Sequence, residues 1–264
     1  MRIAALLTAG LVVLSSQAGA QQRDYCPDRP GIGTPACTMS PGTYSVELGV
    51  GDWTTDRDSG GRTDILRAAD VLVRYGVADH AELQVEWAGI GFSRTRDELR
   101  KVDHRNGGGD VTLGLRRNVL HPDGSGLSMA VAPFVSLPVG RQPFGAGDWS
   151  AGLRVPLSYE VSDRFSIVTT TEFDAAVDED GSGRHFAASE AAGLASKLNE
   201  KLTLTAEYQV LADRDPQGHH VEHLSGLSLG WQPTDDLQLD AGANVGLDRH
   251  ADDLEVYFGV SRRF

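Results

Sequence analysis

From Thr43 to Phe264 the chain repeats one pattern: a run of roughly ten residues with alternating apolar and polar side chains, then a connection. In Thr43–Trp53, Tyr44, Val46, Leu48 and Val50 fall on one side, and Ser45, Glu47, Gly49 and Gly51 on the other. Lys201–Val210 sets Leu202, Leu204, Ala206, Tyr208 and Val210 against Thr203, Thr205, Glu207 and Gln209. Ala81–Ala88, Asp110–Arg116 and Leu237–Leu247 do the same. Successive side chains of a strand point to opposite faces, so period two marks a sheet with one greasy and one polar face. Weaker runs cover Ile65–Tyr75, Leu127–Pro138, Trp149–Tyr159, Phe165–Ala175, His185–Lys197, Glu222–Trp231 and Leu254–Phe264. The expected total is about twelve, an even number, as single-chain bacterial barrels require. Of these, His185–Lys197 also reads as a helix, because Ala187 to Ala195 is rich in alanine.

The connections alternate in length. Long ones are Thr54–Asp64, Gly89–Gly109, Gly140–Asp148, Ala176–Gly183, Leu211–Val221 and Asp248–Asp253. Short ones are Gly76–His80, Asn118–Gly126, Glu160–Arg164, Leu198–Glu200 and Gln232–Asp236. Short periplasmic turns and longer outer loops are what transmembrane barrels show. At about eight strands a barrel interior fills with side chains, whereas about twelve apolar-lined strands would enclose a void. The apolar faces therefore belong against lipid. Tyr44, Trp53, Tyr75, Trp87, Trp149, Tyr159, Phe165, Tyr208 and Trp231 lie near strand ends, where interfacial girdles form. The expected fold is all-β: a closed antiparallel up-and-down transmembrane β-barrel spanning 43–264, since lipid leaves no partner for an open edge.

The start of the chain adds a compartment. Arg2, the apolar run Ile3–Leu14 and the small residues Ala18-Gly19-Ala20 have the layout of a cleaved export signal over 1–20. Residues 21–42 then form a Pro- and Gly-rich periplasmic N-terminal segment without periodicity, expected to enter the lumen as a small plug. The chain has 2 cysteines, Cys26 and Cys37, and export to an oxidising compartment makes them a disulfide. A net charge of −13 and the lack of aromatic platforms beside basic grooves exclude nucleic acid as a partner. The aromatic last residue Phe264, on the face of Val260, Phe258, Val256 and Leu254, is similar to the signal by which the barrel-assembly machinery recognises outer-membrane barrels. The partners expected are outer-membrane lipid, that machinery and a small solute, in the cell outer membrane.

Three stretches resemble the family of outer-membrane transporters of the phenol-degradation meta-pathway type. They are Arg74-Tyr75-Gly76-Val77-Ala78-Asp79-His80-Ala81-Glu82-Leu83, Gly108-Gly109-Asp110-Val111-Thr112-Leu113-Gly114-Leu115-Arg116 and Pro133-Phe134-Val135-Ser136-Leu137-Pro138-Val139-Gly140. The resemblance implies a barrel that admits small, often hydrophobic or aromatic compounds, and transfers no functional residue.

On the face assigned to the lumen lie Glu47, Asp70, Arg74, Glu82, Glu86, Asp110, Arg116, Arg154, Glu172, Asp174, Glu207, Asp240 and Glu255. Read functionally, this is an acidic passage favouring cations or neutral polar solutes. Read structurally, it is an interior filled by its own salt bridges. Pro133 and Pro138 mark a stretch where pairing is interrupted, as a bulge or as a sideways route for hydrophobic solutes. No catalytic residue, cofactor or metal is expected. Two weaker readings remain: a non-conducting anchor barrel, and an outer-membrane hydrolase using the rim loop that carries Asp213, His219, His220 and His223. That loop lacks a nucleophile motif and reads as solvated. Asp178-Glu179-Asp180-Gly181 lacks the distal acid of a calcium loop and reads as a tight acidic turn.

Overall fold

The computed structural model describes residues 23–58 and 60–264. Fifteen strands follow in order: β1 (Tyr44–Asp58), β2 (Gly61–Ala68), β3 (Asp70–Ala78), β4 (Ala81–Trp87), β5 (Ile90–Asp97), β6 (Val102–Gly108), β7 (Val111–Leu120), β8 (Leu127–Leu137), β9 (Ser150–Glu160), β10 (Phe165–Val177), β11 (Arg184–Asn199), β12 (Leu202–Asp215), β13 (Gly218–Thr234), β14 (Leu237–Gly246) and β15 (Leu254–Arg263). Twelve of them, β1, β3, β4 and β7 to β15, form one antiparallel circuit. β15 pairs back onto β1 from Ser45↔Arg263 to Thr55↔Leu254, so the sheet has no edge there. The two strands also meet end to end. Tyr44 and Phe264 exchange backbone N–H···O bonds of 3.3 and 2.8 Å, and their rings stack with centroids 5.0 Å apart.

The remaining three strands extend the barrel beyond its rim. The upper part of β1 pairs with β2, β2 with β5, and β5 with β6. This corrects the reading of Thr54–Asp64 and Gly89–Gly109 as loops, and of Ile65–Tyr75 as one strand. That last run is broken at Ala69, whose φ is 60°. Likewise Leu211–Val221 is mostly strand, since β12 runs to Asp215 and β13 starts at Gly218. The segment that also suited a helix is strand β11.

The faces sort as the alternation demands. Leu83, Val85, Leu113, Leu115, Leu194, Leu227, Leu229, Val256 and Phe258 are exposed on the outside. Arg74, Glu82, Glu47 and Arg116 are fully buried within. Tyr44, Tyr75, Tyr159, Phe165 and Trp231 are exposed near the short-turn ends, and Trp149 at the other end. From Tyr44 to Trp53 along β1, at about 3.3 Å per residue and a tilt of about 40°, the wall rises roughly 23 Å. That matches an outer-membrane apolar band of about 25 Å. β8 is irregular on both sides. Its registered pairs with β7 stop at Gly114↔Phe134 and resume at Arg117↔Val131, and those with β9 stop at Met129↔Leu157 and resume at Ala132↔Arg154. Pro133 and Pro156 fall at these gaps, where neither has an N–H to give the ladder.

Candidate functional site

Residues 23–42 run inside the barrel at its short-turn end, without regular secondary structure. Cys26 and Cys37 are joined as a disulfide with Cα atoms 6.5 Å apart. Such a segment carries backbone N–H and C=O groups that no ladder serves, and the wall strands have spent their own backbone groups on one another. Apart from Thr38 and Gly42, whose N–H groups reach the carbonyls of Pro122 and Gly76, the segment turns to wall side chains for partners.

They provide them in order along the segment. Glu47 accepts the N–H groups of Asp28 and Arg29, each at 3.0 Å. Glu207 accepts those of Ile32 and Gly33 at 2.9 and 3.0 Å. Thr170 Oγ1 accepts from Thr34 N at 3.0 Å and donates to Thr34 O at 3.1 Å. Asn118 donates to Ala36 O at 2.8 Å, and Glu82 accepts from Met39 N at 2.7 Å. Gln238 donates to Arg29 O at 2.6 Å and Gln232 to Tyr25 O at 3.1 Å. Gly31, with φ at 128°, passes so near the wall that a Cβ there would lie 2.7 Å from Glu207 Oε2.

Charge locks the segment as well. Asp28 meets both terminal nitrogens of Arg116 at 2.7 Å and Arg74 at 3.0 Å. Arg74 also pairs with Glu82 at 2.9 Å and Glu47 at 3.3 Å. Arg29 pairs with Asp240 at 3.0 Å. Burial alone pushes the Asp28 carboxyl up, but the Arg116 and Arg74 guanidiniums outweigh it and hold it well below the usual carboxylate range.

Thus Glu47, Arg74, Glu82, Arg116, Glu207 and Asp240, six of the residues assigned to the lumen, hold the N-terminal segment. Of the others, Asp70, Glu86 and Arg154 border it across a cavity and the rest lie apart. Arg154 pairs with Glu172 at 2.7 Å and covers the Phe134 ring at 4.4 Å. Glu255 accepts from Asn244. Asp110 accepts the N–H groups of Gly140 and Ala146 at 2.9 and 2.7 Å, fixing the 138–149 connection. Asp70, Glu86 and Arg154 line a cavity of about 180 Å³ with Asp28, Arg29, Glu47, Leu72 and Tyr257. Asp174 faces Gly152 across the β9–β10 ladder.

The rim loop does not converge on one point. Asp213 is directed to His185 at 3.0 Å, a residue the sequence reading did not single out. His220 meets Glu222 at 2.9 Å, and His223 meets Tyr208. The acidic turn is as expected: Asp180 accepts from Ser182 N at 2.8 Å, and Gly181 N donates to Asp178 O.

A closed twelve-stranded barrel, greasy outside, ionic inside and holding its own N-terminal segment within, is a transmembrane β-barrel of the outer-membrane type. The chain belongs to the family described as "Putative MetA-pathway of phenol degradation", whose sequence profile matches residues 27–264. Its fold is similar to that of the COG4313 outer membrane channel from Pseudomonas putida F1, with a TM-score of 0.68 at 12% identity over 89% of this chain and 99% of the other. The NanC porin gives 0.52 at 11% identity over 83% and 98%. The transport unit of the autotransporter AIDA-I from Escherichia coli gives 0.52 at 9% over 84% and 90%. No curated protein sequence matches the chain.

Proposed function

We propose that this chain is an outer-membrane channel through which small molecules pass passively. In this reading residues 1–20, which lie outside the described residues, are the cleaved export signal. The short-turn end with residues 21–42 then faces the periplasm, and Phe264 is the mark read by the barrel-assembly machinery. The observation that carries the proposal is the cavity of about 180 Å³ inside the barrel beside the N-terminal segment. A cavity of about 150 Å³ holds benzene, so one aromatic ring fits. Its lining mixes Leu72 and Tyr257 with Asp28, Glu47, Asp70, Glu86, Arg29 and Arg154. Of the charges there, Asp70, Glu86 and Arg154 are the ones that do not hold the segment, and two acids against one base favour cations and neutral polar solutes over anions.

That the family's description names phenol degradation, and that a structural relative is a channel, support small aromatic solutes with a polar group. The test is single-channel recording in planar bilayers, with liposome uptake of phenol-sized aromatics against small cations. The mature chain should give a small, cation-selective conductance, and deletion of residues 21–41 should enlarge it. A silent barrel with and without that segment points to an anchor and ends the channel reading.

A further inference from the structure

At the opposite end of the lumen from the N-terminal segment, three long-connection elements bring together groups that the channel reading does not use. Asp178 follows β10, His185 is the second residue of β11, and Asp215 is the last of β12. The registers Ala176↔His185 and Ala187↔Asp213 put His185, Asp213 and Asp215 on the inward side of the wall, with Glu172 and Asp174. The His185 ring is only 6% exposed.

Its Nδ1 lies 3.0 Å from Asp178 Oδ1 and 3.3 Å from Asp215 Oδ2. A ring nitrogen carries one proton or one lone pair, so as an N–H donor it serves at most one of two converging carboxylates. The separations suit a different guest. Around an ion bonded at about 2.1 Å, adjacent ligand atoms sit roughly 3.0–3.4 Å apart. The ligand atoms of Asp178, His185 and Asp215 all lie within 4.8 Å of one another.

The second ring nitrogen strengthens the case. Nε2 meets Asp213 Oδ1 at 3.0 Å. A carboxylate behind the non-ligating nitrogen fixes the tautomer and orientation of a metal-bound imidazole. The Asp215 carboxylate is itself aimed, accepting N–H groups from Glu179 and Gln217 at 2.7 Å each. A cleft of about 370 Å³, with Gln142, Val177, Asp178 and Glu179 in its lining, provides an entry path.

We propose that Asp178, His185 and Asp215 bind a divalent transition-metal ion at the lumen rim, with Asp213 orienting the imidazole. One imidazole nitrogen with carboxylate oxygens selects zinc-like ions over calcium or magnesium, which take oxygen ligands alone. The bound ion ties the β10–β11 connection to the tip of the β12–β13 hairpin. It departs from the sequence expectation of no metal, and it holds whatever solute the barrel passes.

The test is calorimetric titration of the mature barrel in detergent micelles with zinc chloride, and a parallel arm with calcium chloride. One zinc per chain is expected, unaffected by calcium. His185→Ala and Asp215→Asn should each weaken it by at least about tenfold, and Asp213→Asn by a similar factor through the ring's orientation. His121→Gln, at the other end of the barrel, should change nothing. Heat-modifiable electrophoretic mobility establishes that each variant is folded. Cobalt(II) gives an independent signature, a visible absorption band on the mature protein that Asp215→Asn weakens. Failure to bind zinc below millimolar concentration, or binding that survives His185→Ala, overturns the site and leaves an imidazolium held by three carboxylates only.

Discussion

Replacing Asp28 with Asn tests whether charge holds the N-terminal segment in the lumen. Asp28 grips Arg116 through two bonds of 2.7 Å and touches Arg74 at 3.0 Å. The two arginines are 1% and 0% exposed, so water is a poor substitute for the lost partner. Removing one side of a buried ion pair costs about 3–5 kcal/mol. Here the low end applies. Arg116 keeps Glu82 at 3.4 Å, Arg74 keeps Glu82 and Glu47, and an Asn amide oxygen still accepts one bond. A loss of about 3 kcal/mol, at 1.4 kcal/mol per factor of ten, shifts the docked-to-undocked ratio roughly 150-fold. Hydrogen exchange of the backbone N–H groups of Arg29, Ile32 and Gly33, followed by mass spectrometry, reads that ratio directly. Their protection should fall about a hundredfold in Asp28→Asn, while the same change at the exposed Asp24 leaves it intact. Protection within a factor of three of the parent protein would refute the assignment of Asp28 as the anchor.

Further outcomes follow from the same geometry. Because Asp28 is held well below the ordinary carboxylate range, its contribution to docking is complete above its free value near 4 and disappears only as pH falls through the lowered one. The difference in exchange protection between the parent protein and Asp28→Asn should therefore persist to about pH 4 and vanish in stronger acid; a difference lost between pH 6 and 5 would contradict it. Asp110→Ala removes two charge-assisted bonds to the 138–149 connection, each of about 1.5–3 kcal/mol. Exchange at Gly140 and Ala146 should rise at least tenfold with the barrel's melting temperature unchanged. Phe264→Ala removes a ring stack with Tyr44 of about 0.5–1.5 kcal/mol. Refolded protein should keep most of its stability while its yield in the outer membrane of cells drops several-fold; equal yields would dissociate Phe264 from assembly.

How much the sequence discloses depends on depth in the membrane. Where strands face hydrocarbon, every second side chain must be apolar, and β1, β12 and β14 are legible from that rule alone. Above the rim both faces meet water, so the rule lapses. Ser93, Arg94, Thr95 and Arg96 in β5 carry no stripe, and neither do Asp213, Arg214 and Asp215 in β12. These stretches read as loop although the ladder continues through them. The break at Ala69 leaves no trace either, since Ala68-Ala69-Asp70 suits strand or turn. The alternation singles out Glu47 and Glu207 as polar-face residues, but not what they hold. Nothing in Glu207 announces that Ile32 and Gly33 will donate to it across 175 and 174 residues of chain. His185 was hidden doubly, in a segment that also suited a helix and with its carboxylate partners on two other elements, the β10–β11 connection and β12.

The excess of acids inside the wall follows from what an irregular segment lacks. Its backbone presents N–H donors as well as carbonyls, and an unserved buried N–H is costly. A carboxylate offers two acceptor oxygens side by side, matching two successive N–H groups. Glu47 and Glu207 each clasp such a pair, Asp28 with Arg29 and Ile32 with Gly33. Carbonyls need the reverse, and the wall gives them the donors of Arg74, Asn118, Gln232 and Gln238. The negative charge of those two glutamates is therefore matched to the segment's N–H groups, as Asp240 is to Arg29. What remains to act on a passing solute is the smaller set that the segment does not cap: Asp70 and Glu86 with Arg154, then Glu172 and Asp174 above them. Any selectivity of the passage rests on these few groups and not on the acidity of the lumen as a whole.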